Sequence, residues 1–421
     1  MVAWDHLSDQ PAHTLDKKYK AKIRRRHWDD LLISALTILL IYPLALLRYL
    51  FGFRLRPVSL EHFFGMAVNV DKEPEATPEL LKELGCSDIT IRIRMEEMGE
   101  LESIRRFSES LQECAILYIL IPAREHVENP SLLWRDATKV FETLSPFSTR
   151  FQVGNAVNRF KWGFVLPKEY LTFYTNIQKI RDSRFPHIKL LGPSVIDFEY
   201  HVTIRMLYNF FKIRYDAATA LLYVDRRGAP ENRQFIFDLR GKINLLSAIM
   251  RFSPKLKERQ LYITETNWPI EGTGRYAPTS PTECIDETRY ANYMVRYYLL
   301  AASTTRVATV YWHQMVAPGY GLIDNREGLR KRHAFKAYAT MVSLLKLTRF
   351  ESYRETAGTF STSFRDGTQR ITALWRNGDT APYTPPAGAR ILTMTGETLE
   401  EKEGAITLDD TIHYIIEETH G

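Results

Sequence analysis

From Phe64 to Trp312 the chain alternates short apolar or two-periodic runs with longer stretches whose apolar residues recur every three to four positions. Asp88 to Met95 alternates apolar with polar side chains, and Cys114 to Pro122 is apolar throughout, as a strand buried on both faces is. Further strand-like segments are Phe64 to Asn69, Phe151 to Gly154, Ile188 to Pro193, Ala220 to Val224, Leu261 to Thr264 and Val307 to Trp312. Amphipathic stretches such as Tyr170 to Ile180 and Tyr290 to Leu300 separate them. Thr77-Pro78-Glu79 opens another helix, with proline where the first turn needs no N–H, and Gly85 closes it. Eight strands alternating with helices predict an α/β fold whose parallel sheet closes into a (β/α)8 TIM barrel. An open doubly wound sheet is the alternative, but its usual glycine-rich first turn is missing.

After about Leu345 the texture changes. Thr359 to Phe364 and Gln369 to Trp375 alternate with period two around Asp366-Gly367, a hairpin signal, and Ile391 to Thr395, Ala405 to Leu408 and Ile412 to Ile416 are further short strands. They predict a small C-terminal antiparallel β module, a sheet or sandwich packed beside the barrel. At the other end, Leu31 to Leu47 carries no charge and follows the run Lys17, Lys18, Lys20, Lys22, Arg24, Arg25 and Arg26. A helix of about 17 residues reaches about 25 Å, a little short of a hydrocarbon core of about 30 Å, and snorkelling by Arg48 supplies the difference. The segment is expected to be a membrane-anchor helix. The basic run before it places the N-terminus in the cytoplasm and the globular part on the non-cytoplasmic, periplasmic side. The alternative is an interfacial helix that leaves everything on the cytoplasmic face. The expected organisation is a basic leader over 1–30, a hydrophobic membrane segment over 31–54, the barrel over 60–346 and the β module over 347–421.

A hydrophobic share of 45% with 25% charged residues excludes wholesale disorder. Much of the net charge of +6 sits in the run beside the apolar segment, which points to a membrane surface and away from nucleic acid. Cys86, Cys114 and Cys284 are too few and too widely spaced for a disulfide framework or a metal pattern, and read as small apolar residues. There is no phosphate-binding loop, no His-Glu-x-x-His and no dinucleotide fingerprint, so neither a metal site nor a cofactor is expected.

In a parallel barrel the chemistry sits at the C-terminal ends of the strands. Leu261-Tyr262-Ile263-Thr264-Glu265-Thr266-Asn267-Trp268 delivers a carboxylate to that rim, and Phe151-Gln152-Val153-Gly154-Asn155-Ala156-Val157-Asn158 ends in polar side chains. Taken in order, the strand ends offer Arg92, Asn155, Tyr223, Glu265 and Trp312. This series, over roughly Phe63 to Leu345, resembles the clan A glycoside hydrolases of the family 5 and family 39 type. One position departs from it: that family carries Asn-Glu after the fourth strand, with the Glu as acid/base, and here Ala156 follows Asn155.

The resemblance implies that Glu265 is the nucleophile, that Arg92 and Tyr223 keep it ionised, and that Asn155 binds the sugar 2-hydroxyl. Trp162, Trp268 and Trp312 offer flat faces to sugar rings or pack in the core. Three readings meet the missing acid. Another carboxyl takes over, with Asp225, Asp197 and Glu199 as candidates; or an anionic leaving group such as phosphate needs no proton and is met by Arg159, Lys161, Arg226 and Arg227; or the barrel only binds saccharide. The functional expectation is a membrane-anchored glycosidase-like protein acting on, or recognising, an envelope or exported polysaccharide. A barrel that scaffolds a membrane assembly, with Glu265 a mere rim charge, is the alternative from another class.

Overall fold

The computed structural model describes residues 4–12, 16–52, 58–225, 228–400 and 404–418. Eight parallel strands close into a barrel: β1 (Phe64–Val68), β2 (Asp88–Arg94), β3 (Ala115–Ile121), β4 (Arg150–Val153), β5 (Lys189–Ile196), β6 (Ala217–Leu221), β7 (Leu261–Thr266) and β8 (Val307–Trp312). Closure is made by β8, which pairs with both β7 and β1. The strand expected at Ala220 to Val224 begins earlier, at Ala217, because the apolar run from Ala217 to Val224 is longer than its paired part and its last residues form the rim.

Strand alternation decides which side chains reach the barrel interior. Ile89, Ile91 and Ile93 of β2 join the main apolar core beneath the helices, so Thr90, Arg92 and Arg94 face inward. In β7, Leu261 and Ile263 likewise belong to that outer core, while Tyr262 packs inside with Leu117, Leu191, Ala217 and Tyr311. Strict alternation would send Glu265 outward with Ile263. A bulge prevents this: Ala220 pairs with Ile263, but the next residue, Leu221, pairs with Glu265, so the phase of the strand reverses just before its end.

The C-terminal module is a five-stranded antiparallel sheet in the order Arg349–Thr356, Thr359–Arg365, Gln369–Arg376, His413–Glu418, Arg390–Thr393, beside a two-stranded pair, Ala381–Tyr383 with Ile406–Leu408. Its first strand, Arg349–Thr356, was not expected from the sequence; its side chains are largely exposed, so it carries no clean apolar alternation. Arg296 of the barrel helix Glu287–Ser303 ties the two parts together. It pairs with Glu231, which also accepts from Trp375 Nε1 at 2.8 Å, and its Nη2 donates to Asn377 Oδ1 at 2.7 Å.

Described segments before β1 are bound to the barrel. Trp4–Asp5 and Gln10–Pro11 form a small hairpin in the barrel mouth, within what the sequence suggests is only a basic leader. Helix α1 (Lys17–Arg26) carries the basic run, and Lys20 Nζ lies 5.0 Å from the Phe160 ring. Helix α2 (Trp28–Leu50) contains the whole charge-free segment, and it packs along the barrel helices Tyr200–Leu207 and Leu239–Arg251. Ile38, Ile41, Tyr42, Leu46 and Tyr49 face the barrel, whereas Leu32, Leu36, Leu39, Leu40, Leu44 and Leu47 are exposed. Both ends are fastened. Near the start, buried Asp30 accepts from Arg205 Nη2 at 2.7 Å and from the backbone N–H of Lys168 at 2.9 Å, at the N-terminus of the helix Pro167–Arg184. Near the end, the Tyr49 ring meets Phe237 edge-on at 5.3 Å.

Arg205→Ala leaves the Asp30 charge buried without its counter-ion, and a loss of about 3 kcal/mol in denaturant-measured stability is expected; Asp30→Ala combined with Arg205→Leu should recover most of it.

Candidate active site

Glu265 is 6% exposed and lies on the inner side of the mouth, where the bulge in β7 aims it. Arg92 Nη2 donates to its Oε2 at 2.5 Å, Asn155 Nδ2 to the same oxygen at 3.1 Å, and the Tyr223 hydroxyl to Oε1 at 2.6 Å. The strand ends explain each partner. Arg92 is on the inward face of β2, and Tyr223 lies two residues beyond Leu221, in phase with that inward residue. Asn155 follows Gly154, whose φ of +81° a side chain rarely adopts and whose Cβ would stand 2.8 Å from Val157 Cγ1. Burial alone raises the pKa of Glu265, yet the Arg92 charge and the bonds from Tyr223 and Asn155 outweigh it and hold the carboxyl at about 2. The group is a fixed anion at neutral pH.

The tryptophans separate. Trp162 is at the mouth, with the Arg92 guanidinium 5.5 Å from its ring, and Trp4 packs against it nearly perpendicular at 5.8 Å. Trp268 and Trp312 are fully buried and stacked on each other at 5.7 Å. Trp312 shares the outward phase of Val310 on β8, among Tyr290, Tyr297 and Tyr298, so neither ring presents a face to a sugar. Of the two readings open at these positions, core packing is the one they adopt, and the sugar-platform reading is corrected.

Ala156 is fully buried in an apolar cluster with Trp4, Ile119, Ile121, Trp162, Leu221 and Tyr223. The proposed substitute acids lie beyond Tyr223: Asp197, Glu199 and Asp225 line one cavity of about 370 Å³ with Tyr223, Phe198 and Arg159. Arg159 pairs with Asp197 at 2.7 Å and also with Glu199, which neutralises this arginine. Lys161 donates to Gln10 of the hairpin. Arg226 and Arg227 lie outside the described residues.

Sequence reasoning missed a second group of mouth residues. Asn69 lies just past β1, and His313 and Gln314 follow β8, all three where the last-polar-residue rule for strand ends points. His313 stacks on Tyr320 at 5.4 Å, and burial with the nearby Arg92 charge pushes its pKa down to about 3, so the imidazole is neutral. Asp9 of the hairpin completes the group. Its Oδ2 accepts from Arg92 Nη1 at 2.6 Å, Asn69 Nδ2 at 3.0 Å and Gln314 Nε2 at 3.3 Å. No sequence signal marked Asp9, since its role depends on a short polar segment folding back across the barrel.

No family model and no curated relative matches the sequence. Solved structures do match. A family 39 glycoside hydrolase from the gut symbiont Bacteroides cellulosilyticus WH2 aligns with a TM-score of 0.66 at 15% identity, over 86% of this chain and 82% of that one. A GH39 β-xylosidase from Caulobacter crescentus gives 0.61 at 11% identity, over 87% and 98%. A GH30 endoxylanase from Clostridium papyrosolvens C71 gives 0.56 at 10% identity, over 86% and 97%. The fold is that of the clan A glycoside hydrolases, a closed eight-stranded parallel barrel with an antiparallel companion.

Because the folded-state pKa of Glu265 is lowered from 4.5 to about 2, its ionisation contributes stability in full above pH 4.5, and that contribution is lost as pH falls toward 2. Denaturant titrations from pH 6 to 2 should therefore show the parent losing stability faster than Glu265→Gln across this window. Parallel curves would mean that Glu265 is not held as an anion.

Proposed function

We propose that this chain is a glycosidase-like barrel in which the Glu265 carboxylate engages the anomeric carbon of a saccharide. The observation that supports it is the convergence of Arg92, Asn155 and Tyr223 on one ionised carboxylate in the barrel mouth. In the proposed reaction a Glu265 oxygen bonds to the anomeric carbon as the glycosidic C–O bond breaks, and the bonding pair leaves with the aglycone oxygen. Water then attacks the same carbon, frees the carboxylate and gives its proton back to the carboxylate that protonated the leaving oxygen, or to solvent where the leaving group departed as an anion. The hydroxyl of Tyr223 steadies the attacking oxygen, and Asn155 is placed to bond a ring hydroxyl beside the reacting carbon. A proton for the leaving oxygen has no source at Ala156, and Asp225 is the candidate donor, because it lines a cavity together with Tyr223, the partner of Glu265, and Arg159 engages the other two acids there. The apolar cluster around Ala156 favours a second reading, in which the same pocket binds saccharide without cleaving it.

A mechanism-based fluorosugar separates the two. Covalent label on the Glu265 peptide supports the hydrolase, and binding without label supports the lectin-like reading. Where activity on aryl glycosides is measured, Glu265→Gln should lower kcat by on the order of 10³-fold or more, and Ala156→Glu should extend activity to poorer leaving groups.

For the membrane we propose that α2 lies in the plane of the bilayer surface. Its inner face packs on the barrel, its outer face is a row of leucines, and α1 brings the basic run beside it. A spanning α2 would carry the hairpin and the barrel to opposite sides and break the contacts of Asp9 with Arg92 and of Asp30 with Arg205. With hairpin and barrel on one side of the bilayer, the basic run favours the cytoplasmic face, and a saccharide assembled there before export is the substrate class that suits this placement. Tags at the two termini should be protected from, or open to, protease on the same side of sealed vesicles; opposite sides would restore the spanning anchor. Leu39→Glu with Leu44→Glu should release the protein from anionic vesicles.

A further inference from the structure

Asp9 of the N-terminal hairpin bonds the same arginine that holds Glu265. We propose that the hairpin Trp4–Pro11 is an internal occupant of the pocket over Glu265, with Asp9 standing where a carboxylate of the ligand binds, so that the saccharide recognised there carries a hexuronic acid. The proposal rests on the saccharide reading of Glu265 and names its ligand class.

Arg92 divides its two terminal amino groups between two carboxylates, Nη2 to Glu265 and Nη1 to Asp9. A single oxygen of Asp9 accepts from Arg92, Asn69 and Gln314, with His313 Nε2 at 3.5 Å. A sugar hydroxyl must place a proton of its own, whereas a carboxylate oxygen only accepts, so three donors on Oδ2 suit a carboxylate. Asp9 Oδ1 is itself buried without a partner, and burial raises the Asp9 pKa against the pull of Arg92. A second cation waits nearby. Lys161 has no carboxylate in ion-pair range among the described residues; its ammonium is bonded to Gln10 of the hairpin and lies 5.9 Å from the Trp162 ring. Removal of the hairpin would free both Lys161 and one arm of Arg92.

The hairpin satisfies this pocket only in part. Asn69 Oδ1, Gln314 Oε1 and the Tyr320 hydroxyl are buried without a hydrogen-bond partner, and hydroxyls on a sugar ring bearing the carboxylate would pair them. Nor does Asp9 take the place of the missing acid. Its partners stand at the ends of β1, β2 and β8, whereas Ala156 follows β4, across the barrel in strand order. A two-residue ladder between Trp4–Asp5 and Gln10–Pro11 is a slight hold, so the segment is displaceable.

The test is calorimetric titration of the full-length parent, Asp9→Ala and Trp4→Ser with trisaccharides of glucuronate, galacturonate and mannuronate, and with their carboxyl-reduced counterparts. At least one acidic trisaccharide should bind Asp9→Ala tenfold or more tighter than the parent, and tenfold or more tighter than its reduced counterpart, with affinity falling as salt rises. Trp4→Ser loosens the hairpin without removing a pocket donor, should shift in the same direction, and carries the test if Asp9→Ala does not fold. Equal binding of acidic and reduced sugars overturns the hexuronate assignment and leaves the saccharide reading standing. Failure of folded variants to bind any of the sugars overturns the assignment, and the saccharide reading falls with it only if the fluorosugar also leaves Glu265 unlabelled. Loss of aryl-glycoside hydrolysis in Asp9→Ala would make Asp9 part of the chemistry and overturn its role as an occupant.

Discussion

A single buried guanidinium holds the mouth of this barrel together. Arg92 is carried on the inward face of β2, and taking such a charge out of water costs several kcal/mol unless counter-ions with good geometry replace the solvent. It has two, Glu265 and Asp9. The arginine therefore does two things at once: it fixes the ionisation of the carboxylate on β7, and it fastens the N-terminal hairpin over it. The ionised Glu265 and the hairpin carboxyl are coupled through one side chain, so neither carboxylate can be considered without the other.

Most of the barrel is legible in the chain, because parallel strands buried on both faces are short apolar runs that little else imitates, as at Cys114 to Pro122. The partners of Glu265 are legible too, through the order of polar strand ends. What fails is direction. Period two places Glu265 outward with Ile263, and only the bulge, which has no sequence mark, turns it in. The same periodicity, read strictly, would have put Trp312 outward with Val310, where it lies; the family pattern drew attention to it, and packing against Tyr290 and Tyr298 accounts for it better. Asp9 was illegible for another reason. Its partners lie 60, 83 and 305 residues away, and no local pattern reports a contact of that range.

The apolar helix shows composition and context pulling apart. By hydropathy α2 is long enough to cross a bilayer, at 23 residues or about 35 Å. Two acidic residues at its start and a tyrosine at its end tie it to the barrel through Lys168, Arg205 and Phe237. An apolar helix held by ion pairs at its start and by a ring contact at its end has one face on the barrel and one row of exposed leucines.

The hairpin also has a short leash. Only residues 12–16 separate it from α1, and five residues fully extended reach at most about 18 Å. Once out of the mouth, Asp9 remains in the neighbourhood of the rim, so return is a first-order event whose rate does not depend on how dilute the protein is. Any guest must outcompete a tethered rival present at a fixed local concentration, typically millimolar for so short a connection, which sets a floor on the guest concentration needed to keep the barrel open.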